Sequence, residues 1–358
     1  LADLSGSPLQ LSTDPAAAAG ADATIFMVPT RAEPGGAAYG TADLVAAARD
    51  RARAVAARGA PERHLFIIGS TVMPGALAGE VRPALAAGLR GASPRLAYSP
   101  EFVALGDVIA GYRRPDVILV GAEEEVTGAA VAALYARLAE REAPVEILGI
   151  EAAEIAKISL NAYLCLKISF GNALAGLAGD SAPDIARAIG HDRRIGGAYL
   201  KPGMPYGGPC FPRDVTAFLQ MAEARGQAAP LLAATEAVNA RRFEEIADEA
   251  MALAAGRPIA VLGLSFKAGT PVTDASPGLM LARRLATLGV EVVVWDPDPE
   301  VAATPDPGLR RVRSLAGCAG AGVGVVTHPA PDWRDTAAAA LAPMPLLEPW
   351  TGARPAPA

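Results

Sequence analysis

The sequence predicts an α/β protein in which two strand-and-helix segments flank a helical segment, and the order of local patterns supports this prediction. Between residues 23 and 150, short β-like runs alternate with helical stretches rich in Ala, Arg and Glu, as in doubly wound α/β folds. From residue 151 to about residue 254 the strand signals disappear, and from residue 258 onward they return. We therefore predict domains at residues 1–150, 151–254 and 255–352.

Each segment has its own predicted elements. The first contains strands at 24–28, 65–68, 117–120 and 145–148, and helices at 42–58 and 126–141. The middle segment consists of helices interrupted by a loop rich in Pro and Gly at 195–212. The third contains strands at 259–262, 290–295 and 323–326, with a helix at 277–288 between the first two. Residues 353–358 form a Pro/Ala-rich tail that we expect to be disordered.

Composition argues against several classes of function. The 358 residues carry a formal net charge of −6, whereas a nucleic-acid partner requires a basic surface. The three cysteines show neither a paired framework nor metal-ligand spacing, and the three histidines are scattered, so we expect a reducing cytoplasm and no metal site. No uncharged apolar run is long enough to span a bilayer, so we expect no membrane partner.

The most informative segment is the loop Gly-Gly-Pro-Cys-Phe-Pro-Arg-Asp at residues 207–214. Its glycines let a substrate approach the backbone and the sulfur of Cys210, its prolines stiffen the turn, and Arg213 favours the thiolate. Asp214 follows the thiol by four residues. These features are compatible with a catalytic cysteine, although a single cysteine in a Gly/Pro loop, taken alone, is more often an ordinary residue.

Two motifs upstream of this loop give it a context. The pattern at 154–161 has the form E-x-x-K-x-x-x-N, which places Lys157 and Asn161 on one face of a predicted helix, and Asp-Arg-Arg-Ile-Gly follows at 192–196. Pro202 and Gly203 then lead into the cysteine loop. In this order and spacing the three motifs resemble those of the UDP-glucose/GDP-mannose dehydrogenase family, with Arg213 where the family has lysine.

The resemblance extends over nearly the whole chain. Residues 25–30 resemble the family's V-P-T-P strand end, with Arg31 in place of the second proline, while 67–75 resemble S-T-V-x-P-G and 99–102 resemble N-P-E-F. Residues 261–267 and 295–297 resemble G-L-x-F-K and Y-D-P. The resemblance implies a partial Rossmann-like first domain that binds NAD, a central helical domain for dimerisation and catalysis, and a second Rossmann-like domain for a nucleotide sugar.

The activity implied by the resemblance is oxidation of a nucleotide-sugar C6 alcohol to the uronic acid by two hydride transfers, with NAD as the cofactor. Cys210 would trap the aldehyde as a thiohemiacetal and then carry a thioester that water opens. Lys157 and Asn161 would stabilise developing negative charge, and Asp214 and Lys157 would handle the protons with an ordered water. The implied catalytic set is Cys210, Lys157, Asn161, Asp214, Thr71 and Glu101.

The resemblance also implies residues that bind substrate and cofactor. Those for the nucleotide sugar are Glu101, Phe102, Lys157, Asn161, Arg194, Tyr199, Gly203, Gly207, Phe266 and Lys267, with Arg194 reaching across the interface of a homodimer. Those for NAD are Pro29, Thr30, Ser70, Thr71 and Cys210.

Taken singly, several of these residues have simpler interpretations. Lys157 would be a solvated cation paired with Glu154, and Thr71 would cap a turn. The others would be surface or strand-end residues, namely Glu101, Arg194 in an ion pair with Asp192, Phe266 and Lys267.

One family feature is missing from this sequence. Family members open with a strand, a G-x-G-x-x-G turn and a helix that hold the dinucleotide pyrophosphate, and this chain contains no such segment. The strand predicted at 24–28 would then lie at an unpaired sheet edge, which natural proteins avoid. We therefore expect an N-terminally truncated piece of a longer protein, and the alternative is a natural short form that has dispensed with the dinucleotide.

Two departures bear on the mechanism. The family commonly has a second glutamate at the position of Leu105, where it assists the water that opens the thioester, and a leucine cannot act as a base. The arginine that approaches the cofactor phosphates is replaced by Asp274, which puts a negative charge near an anion. We therefore expect a divergent branch of the family with altered substrate or cofactor handling.

Three classes of function remain open. An NAD-dependent nucleotide-sugar 6-dehydrogenase is favoured by the intact set of cysteine, lysine, asparagine and aspartate. A nucleotide-sugar-binding pseudoenzyme or dimer scaffold is favoured by Leu105 and Asp274. A thiol enzyme that works without dinucleotide would use Cys210 for acyl transfer. Recognition of a particular sugar depends on loop geometry, which the sequence does not place.

Overall fold

The structure is a computed structural model and describes residues 10–14, 16–18, 20–32, 35–59, 63–102, 106–303, 306–329 and 331–350. The tail predicted at 353–358 lies outside these residues. The chain divides into two compact units, at residues 1–158 and 159–358. This boundary falls inside the long helix α5 (Ile150–Ala178), close to the predicted start of the central segment.

The first unit is built around a five-stranded sheet whose strands lie side by side in chain order. All neighbouring strands are parallel except the third and fourth, which are antiparallel. The third strand was not predicted, because Arg-Leu-Ala-Tyr lacks β-branched residues. The strands are β1 (Ala23–Phe26), β2 (Leu65–Ile68), β3 (Arg95–Tyr98), β4 (Ile118–Ala122) and β5 (Val145–Leu148).

Helices cover both faces of this first sheet. Helices α1 (Ala42–Arg58) and α2 (Arg82–Gly88) pack with a π-helical turn at Leu77–Val81 on one face, against a core that includes Phe66 and Tyr98. Helix α3 (Val108–Arg113) precedes β4, and helix α4 (Glu125–Ala136) covers the other face, where Ile67 and Val120 are buried. Because neighbouring residues of a strand point to opposite faces, burial on both sides explains the continuous apolar strands. This arrangement confirms the predicted α/β class.

Strand β1 lies at an edge of the sheet, as predicted. Among the described residues it pairs only with β2. Two apolar side chains at this edge are strongly exposed, Ile25 at 45% and Met27 at 54%. The edge therefore combines open backbone positions with exposed apolar surface.

The second unit begins with helices, as predicted for the central segment. After α5 come α6 (Ala182–Gly190), α7 (Phe211–Ala224) and α8 (Pro230–Ala254). The predicted Pro/Gly loop connects α6 to α7. Residues of α5, α7 and α8 share a small apolar core, represented by Ala162, Val215 and Leu232.

A second five-stranded sheet follows, and all its strands are parallel. Helices α8 and α9 (Pro277–Thr287) cover one face and α11 (Pro331–Leu341) covers the other. Helix α10 (Pro299–Ala303) follows the second strand of this sheet. The strand order is β10 (Leu346–Leu347), β9 (Val323–Val326), β6 (Ile259–Leu262), β7 (Val292–Trp295) and β8 (Arg310–Arg311). Strands β8 and β10 were not predicted, because two residues show no periodicity.

No helix within the described ranges is both long and apolar enough to cross a membrane.

Candidate functional site

Cys210 lies at the start of a helix in the second unit. It is the N-cap residue of α7, and its side chain is exposed. Residues 202–208, which lead into it, are buried. The free N–H groups of a first helical turn carry partial positive charge, which favours negative charge at that end. The loop thus presents an accessible thiol where a thiolate would be stabilised.

Close packing at two glycines holds this loop against the segment between β6 and α9. The Gly208 amide donates a hydrogen bond to the Ala275 carbonyl at 2.8 Å, and Gly208 has a left-handed backbone with φ of 83°. The Phe266 ring fills the space that a Cβ on Gly208 would need, and Gly207 faces the Ala275 carbonyl in the same way. The structure therefore places the candidates Gly207 and Phe266 next to the cysteine loop.

Asn161, which is half-buried, and the buried Asp214 form a hydrogen-bonded pair beside the cysteine. Asn161 on α5 donates a hydrogen bond from Nδ2 to the Asp214 carboxylate, and Asp214 is 1% exposed. The Asp214 amide donates to the Cys210 carbonyl at 2.8 Å in the first turn of α7. A carboxylate removed from water requires such a donor. The second unit thus brings three candidate catalytic residues into one cluster.

A second thiol lies beneath this cluster. Cys165 is fully buried, and its Sγ lies 3.8 Å from the Phe211 carbonyl oxygen. Burial, with the neighbouring Asp214 carboxylate, raises the pKa of the Cys165 thiol well above its usual range. Cys165 is therefore a neutral core residue, and Cys210 is the exposed thiol of this unit. Sequence reasoning did not assign Cys165, although its position four residues after Asn161 puts it on the same helix face.

Gly203 is fixed by three residues that sequence reasoning missed. Its amide donates to Asn172 Oδ1 at 2.8 Å, and Arg242 Nε donates to its carbonyl at 3.0 Å. The Trp350 indole fills the space where a Cβ on Gly203 would lie. Asn172 could have been found from the helical period, because it lies eleven residues after Asn161 on α5 and therefore on the same face of the helix. No local signal pointed to Arg242 or Trp350.

Three further candidates in the second unit lie at its surface. Tyr199 is 48% exposed, has φ of 62°, and meets the Phe211 ring edge-on at a centroid distance of 6.0 Å. Arg194 pairs with Asp192 at 2.7 Å, and its side chain is 84% exposed. This is the surface ion pair expected when Arg194 is taken singly. Lys267 is exposed in the loop after β6.

In the first unit, Lys157 is buried and holds the segment that follows β3. It is 7% exposed, and its Nζ donates to the Glu101 carbonyl at 2.6 Å. The ammonium also lies 4.8 Å from the centroid of the Phe102 ring. The interpretation of Lys157 as a solvated cation is therefore wrong, because carbonyl and ring replace water around it.

The Glu101 side chain is half-buried in the same segment. Burial raises the pKa of its carboxyl, while the Tyr112 hydroxyl and the charge of Lys157 act in the opposite direction. Because burial is the largest of these effects, Glu101 takes up a proton more readily than a surface carboxylate. Tyr112 was not predicted as a site residue.

Glu154, the first residue of the lysine motif, has a structural part in the first unit. Its carboxylate is fully buried and accepts hydrogen bonds from the Gly75 amide at 2.6 Å and the Leu77 amide at 3.0 Å. These bonds join α5 to the turn that follows β2. Glu154 therefore positions the helix that carries Lys157.

The candidates for cofactor binding lie just beyond the carboxyl ends of β1 and β2. Thr30 Oγ1 donates to the Thr71 carbonyl at 2.7 Å. Ser70 Oγ donates to the Val28 carbonyl at 2.8 Å and accepts from the Val28 amide at 2.7 Å. Pro29 lies between these contacts. Small, uncharged side chains at this edge fit a dinucleotide, which binds outside the carboxyl ends of the strands in open α/β sheets.

Of the two residues that depart from the family pattern, the structure describes only Asp274. Leu105 lies outside the described residues. Asp274 is exposed on the loop of the second unit that precedes α9. At an exposed position its negative charge costs the fold little.

Two family models match the chain. Residues 2–139 match the NAD binding domain of the UDP-glucose/GDP-mannose dehydrogenase family, and residues 151–241 match the central domain of that family.

Curated relatives carry related names. The UDP-glucose 6-dehydrogenase of Pseudomonas aeruginosa is 38% identical over 209 residues, which are 56% of this chain and 46% of the relative. The UDP-glucose 6-dehydrogenase AglM of Haloferax volcanii is 34% identical over 303 residues, which are 82% of this chain and 70% of the relative. The chain thus spans about half the length of the Pseudomonas relative.

A solved structure supports the same fold. The UDP-glucose dehydrogenase from the hyperthermophilic archaeon Pyrobaculum islandicum matches with a TM-score of 0.84 at 30% identity, over 92% of this chain and 77% of that one.

Proposed function

The chain belongs to the UDP-glucose/GDP-mannose dehydrogenase family. On that basis we propose that it acts as an NAD-dependent nucleotide-sugar 6-dehydrogenase. The observation that carries the proposal is the cluster in the second unit, where the exposed Cys210 thiol stands beside the hydrogen-bonded pair of Asn161 and Asp214. A core thiol would be shielded like that of Cys165, whereas a nucleophile must meet its substrate.

Cys210 is the proposed nucleophile. Its sulfur adds to the aldehyde formed from the C6 alcohol and gives a thiohemiacetal, and a second oxidation leaves a thioester. Water then attacks the thioester carbon, the C–S bond breaks, and the uronic acid and the thiolate separate. NAD, when bound, supplies the hydride acceptor for both oxidations, and it would be held by Pro29, Thr30, Ser70 and Thr71.

Four side chains are proposed to manage charge and protons. The Asn161 amide and the Lys157 ammonium would stabilise negative charge on the oxygen derived from C6. Asp214 would exchange protons through an ordered water, together with Lys157. Glu101 is the proposed acid–base candidate from the first unit, where burial raises the pKa of its carboxyl.

The remaining candidates are proposed to bind the nucleotide sugar. Phe266 and Gly207 lie at the cysteine loop, and Gly203 is fixed by its hydrogen bonds in the same segment. Exposed side chains would meet the polar parts of the ligand. The proposed contacts are Phe102, Arg194, Tyr199, Gly203, Gly207, Phe266 and Lys267, in addition to the catalytic residues.

We propose that the protein forms a homodimer through α5. Four apolar side chains on this helix are exposed at 38–85%, namely Leu160, Tyr163, Phe170 and Leu177. Their spacing of three, seven and seven residues puts them on one stripe of the helix. An exposed apolar stripe of this length is typical of a protein interface.

A reducing compartment, the cytoplasm, is the proposed location. All three cysteines are free, and Cys165 and Cys318 are buried in separate cores of the second unit. Free thiols persist where glutathione and thioredoxin keep them reduced.

The test is NADH release with UDP-glucose and with GDP-mannose, measured by absorbance and by the uronic acid formed. The proposal requires two NADH for each uronic acid. Cys210→Ser should lower the rate by about 10³-fold or more, because it removes the nucleophile. Cys318→Ala is the matched control, since it removes a buried thiol from the other core of the unit and should keep the rate.

Other outcomes would support other functions. Binding of the nucleotide sugar without turnover, unchanged in Cys210→Ser, would favour a scaffold. Transfer of an activated acyl group without NAD would favour a cofactor-free thiol enzyme.

A further inference from the structure

The loop at 202–208, which leads into Cys210, is buried although it belongs to no helix or strand. Backbone N–H and C=O groups removed from water need hydrogen-bond partners, which a helix or a sheet supplies from its own backbone. In this loop polar side chains of two helices in the second unit supply several of them. These side chains are Asn172 of α5 and Asn239 and Arg242 of α8.

Asn239 pairs with both backbone groups of Tyr206. Its Oδ1 accepts a hydrogen bond from the Tyr206 amide at 2.7 Å, and its Nδ2 donates to the Tyr206 carbonyl at 3.1 Å. A side chain that binds both backbone groups of one residue replaces the partner that a neighbouring strand would provide. An amide carries the acceptor and the donor that this pairing requires, whereas alanine carries neither.

Asn172 holds the same loop from α5. It is 2% exposed, its Oδ1 accepts from the Gly203 amide at 2.8 Å, and its Nδ2 donates to the Met204 carbonyl at 3.2 Å. Arg242, three residues after Asn239 on α8, donates to the Gly203 carbonyl at 3.0 Å. Side chains of two helices therefore fix the loop both at its start and at Tyr206.

We propose that Asn239 is a positioning residue for nucleotide-sugar binding, because together with Asn172 it keeps the loop at 202–208 in the conformation that receives the ligand. The inference rests on the proposed function, in which Gly203 and Gly207 of this loop contact the nucleotide sugar, and it adds two residues to that function. A loop that is already ordered loses little conformational freedom on binding, so its order raises the affinity. Asn239 acts through the backbone of Tyr206 and takes no part in the chemistry at the thiol.

Binding without turnover tests this inference. Isothermal titration calorimetry with UDP-glucose and with GDP-mannose, in the absence of NAD, gives the Kd of each variant. Asn239→Ala should raise Kd about tenfold, because the ligand must then order the loop. Thr235→Ala is the matched control and should leave Kd unchanged. Thr235 is buried on the same helix, but its hydroxyl donates to the Leu231 carbonyl of α8 at 2.8 Å and not to the loop.

A double variant shows whether the two amides act through one loop. Asn172→Ala alone should also raise Kd about tenfold. The second substitution then acts on a loop that the first has already released, so the double variant should lose much less than the product of about 100-fold. Amide hydrogen exchange at 203–208 should become faster in Asn239→Ala but not in Thr235→Ala.

Kinetics separate positioning from chemistry. In Asn239→Ala the KM for the nucleotide sugar should rise with Kd, while kcat stays within about threefold of the wild type. A Kd that stays constant in Asn239→Ala, or that rises equally in Thr235→Ala, would overturn the inference, as would a double variant that loses the full product. A wild-type protein that binds a nucleotide sugar but releases no NADH would overturn the proposed function instead, while the Kd values would still decide the role of Asn239.

Discussion

The pair of Asn161 and Asp214 shows how one amide sets the environment of a buried carboxylate. Asp214 is 1% exposed, and Asn161 donates to it from α5. An amide supplies a hydrogen without adding charge, so it compensates the carboxylate for part of the water that burial removes. If Asp214 exchanges protons in the reaction, Asn161 controls the charge that it presents.

A charge swap at this pair makes a prediction for stability. Asn161→Asp should destabilise the protein by about 3–5 kcal/mol at pH 7, because it leaves a second, unpaired carboxylate beside the buried Asp214. Asp214→Asn should cost less, since two amides can still pair. The double variant, with Asp at 161 and Asn at 214, should recover most of the loss. Urea unfolding measures all three, and a double variant no more stable than Asn161→Asp would contradict the pairing.

The pH dependence of Asn161→Asp follows from the same contact. Two carboxylates in contact raise the folded-state pKa of one of them above its unfolded value near 4. The folded state then binds more protons than the unfolded state, so stability falls as the pH rises through that pKa. Unfolding should therefore require more urea at pH 5 than at pH 7 in this variant, relative to the wild type.

The cysteine loop and α7 act together as an element. The exposed thiol depends on a turn in which Gly208 adopts a left-handed backbone and the Phe266 ring lies against its Cα. A side chain at this position would both strain the backbone and push the ring away. The absence of a side chain therefore lets the loop pack on the segment between β6 and α9 while Cys210 stays at the helix start.

Gly208→Ala should lower stability more than an alanine at another left-handed glycine. Gly226, just after α7, has φ of 64° and nothing within 4 Å of a built Cβ. Gly226→Ala should cost about 1–2 kcal/mol for backbone strain alone. Gly208→Ala should cost about 1–3 kcal/mol more, because the ring must move. Urea unfolding of the two variants measures the difference, and equal losses would show that the ring contact is unimportant.

At the scale of the whole molecule, the exposed stripe on α5 is the feature that most needs a partner. Tyr163 is 61% exposed, Phe170 50% and Leu177 85%. A single helix that leaves such side chains in water gains stability when a second copy covers them. The proposed homodimer thus follows from the same helix that carries Lys157 and Asn161.

Phe170→Glu should convert the dimer to a monomer at micromolar concentration, because the interface would have to bury a charge without a partner. Sedimentation velocity measures the mass in solution. Leu138→Glu is the control, since Leu138 is 51% exposed but belongs to the first unit and is not part of α5. A wild-type protein that sediments as a monomer, or a Phe170→Glu variant that remains dimeric, would contradict the interface.

Local patterns were sufficient for most of the fold and for the core of the candidate site. The helix at 42–58 was predicted at its observed bounds, because an amphipathic run between turn residues is visible along the chain. Strand β3 was missed, since its sequence is a poor strand former and pairing with β2 and β4 on either side holds it extended. The antiparallel pairing of β3 with β4 has no local signal.

The candidate site divides in the same way. Cys210, Asn161 and Asp214 follow from motifs at family-like spacing, because each motif is a short stretch of sequence. Asn172, Arg242 and Trp350 were missed, since their relevance comes from contacts with residues distant in the chain. Arg242 and Gly203, for example, are 39 residues apart.

The amino-acid order alone was therefore enough to predict the α/β class, the succession of segments and the candidate thiol with its helix motif, because periodicity and spacing are properties of neighbouring residues. Burial was decided by tertiary structure. From the sequence, Lys157 is compatible with a solvated cation, but in the structure the Glu101 carbonyl and the Phe102 ring contact its ammonium. Glu101 is likewise compatible with a surface carboxylate, but in the structure its carboxyl is half-buried. Removal from water depends on what packs around a group, and those packing partners come from other parts of the chain.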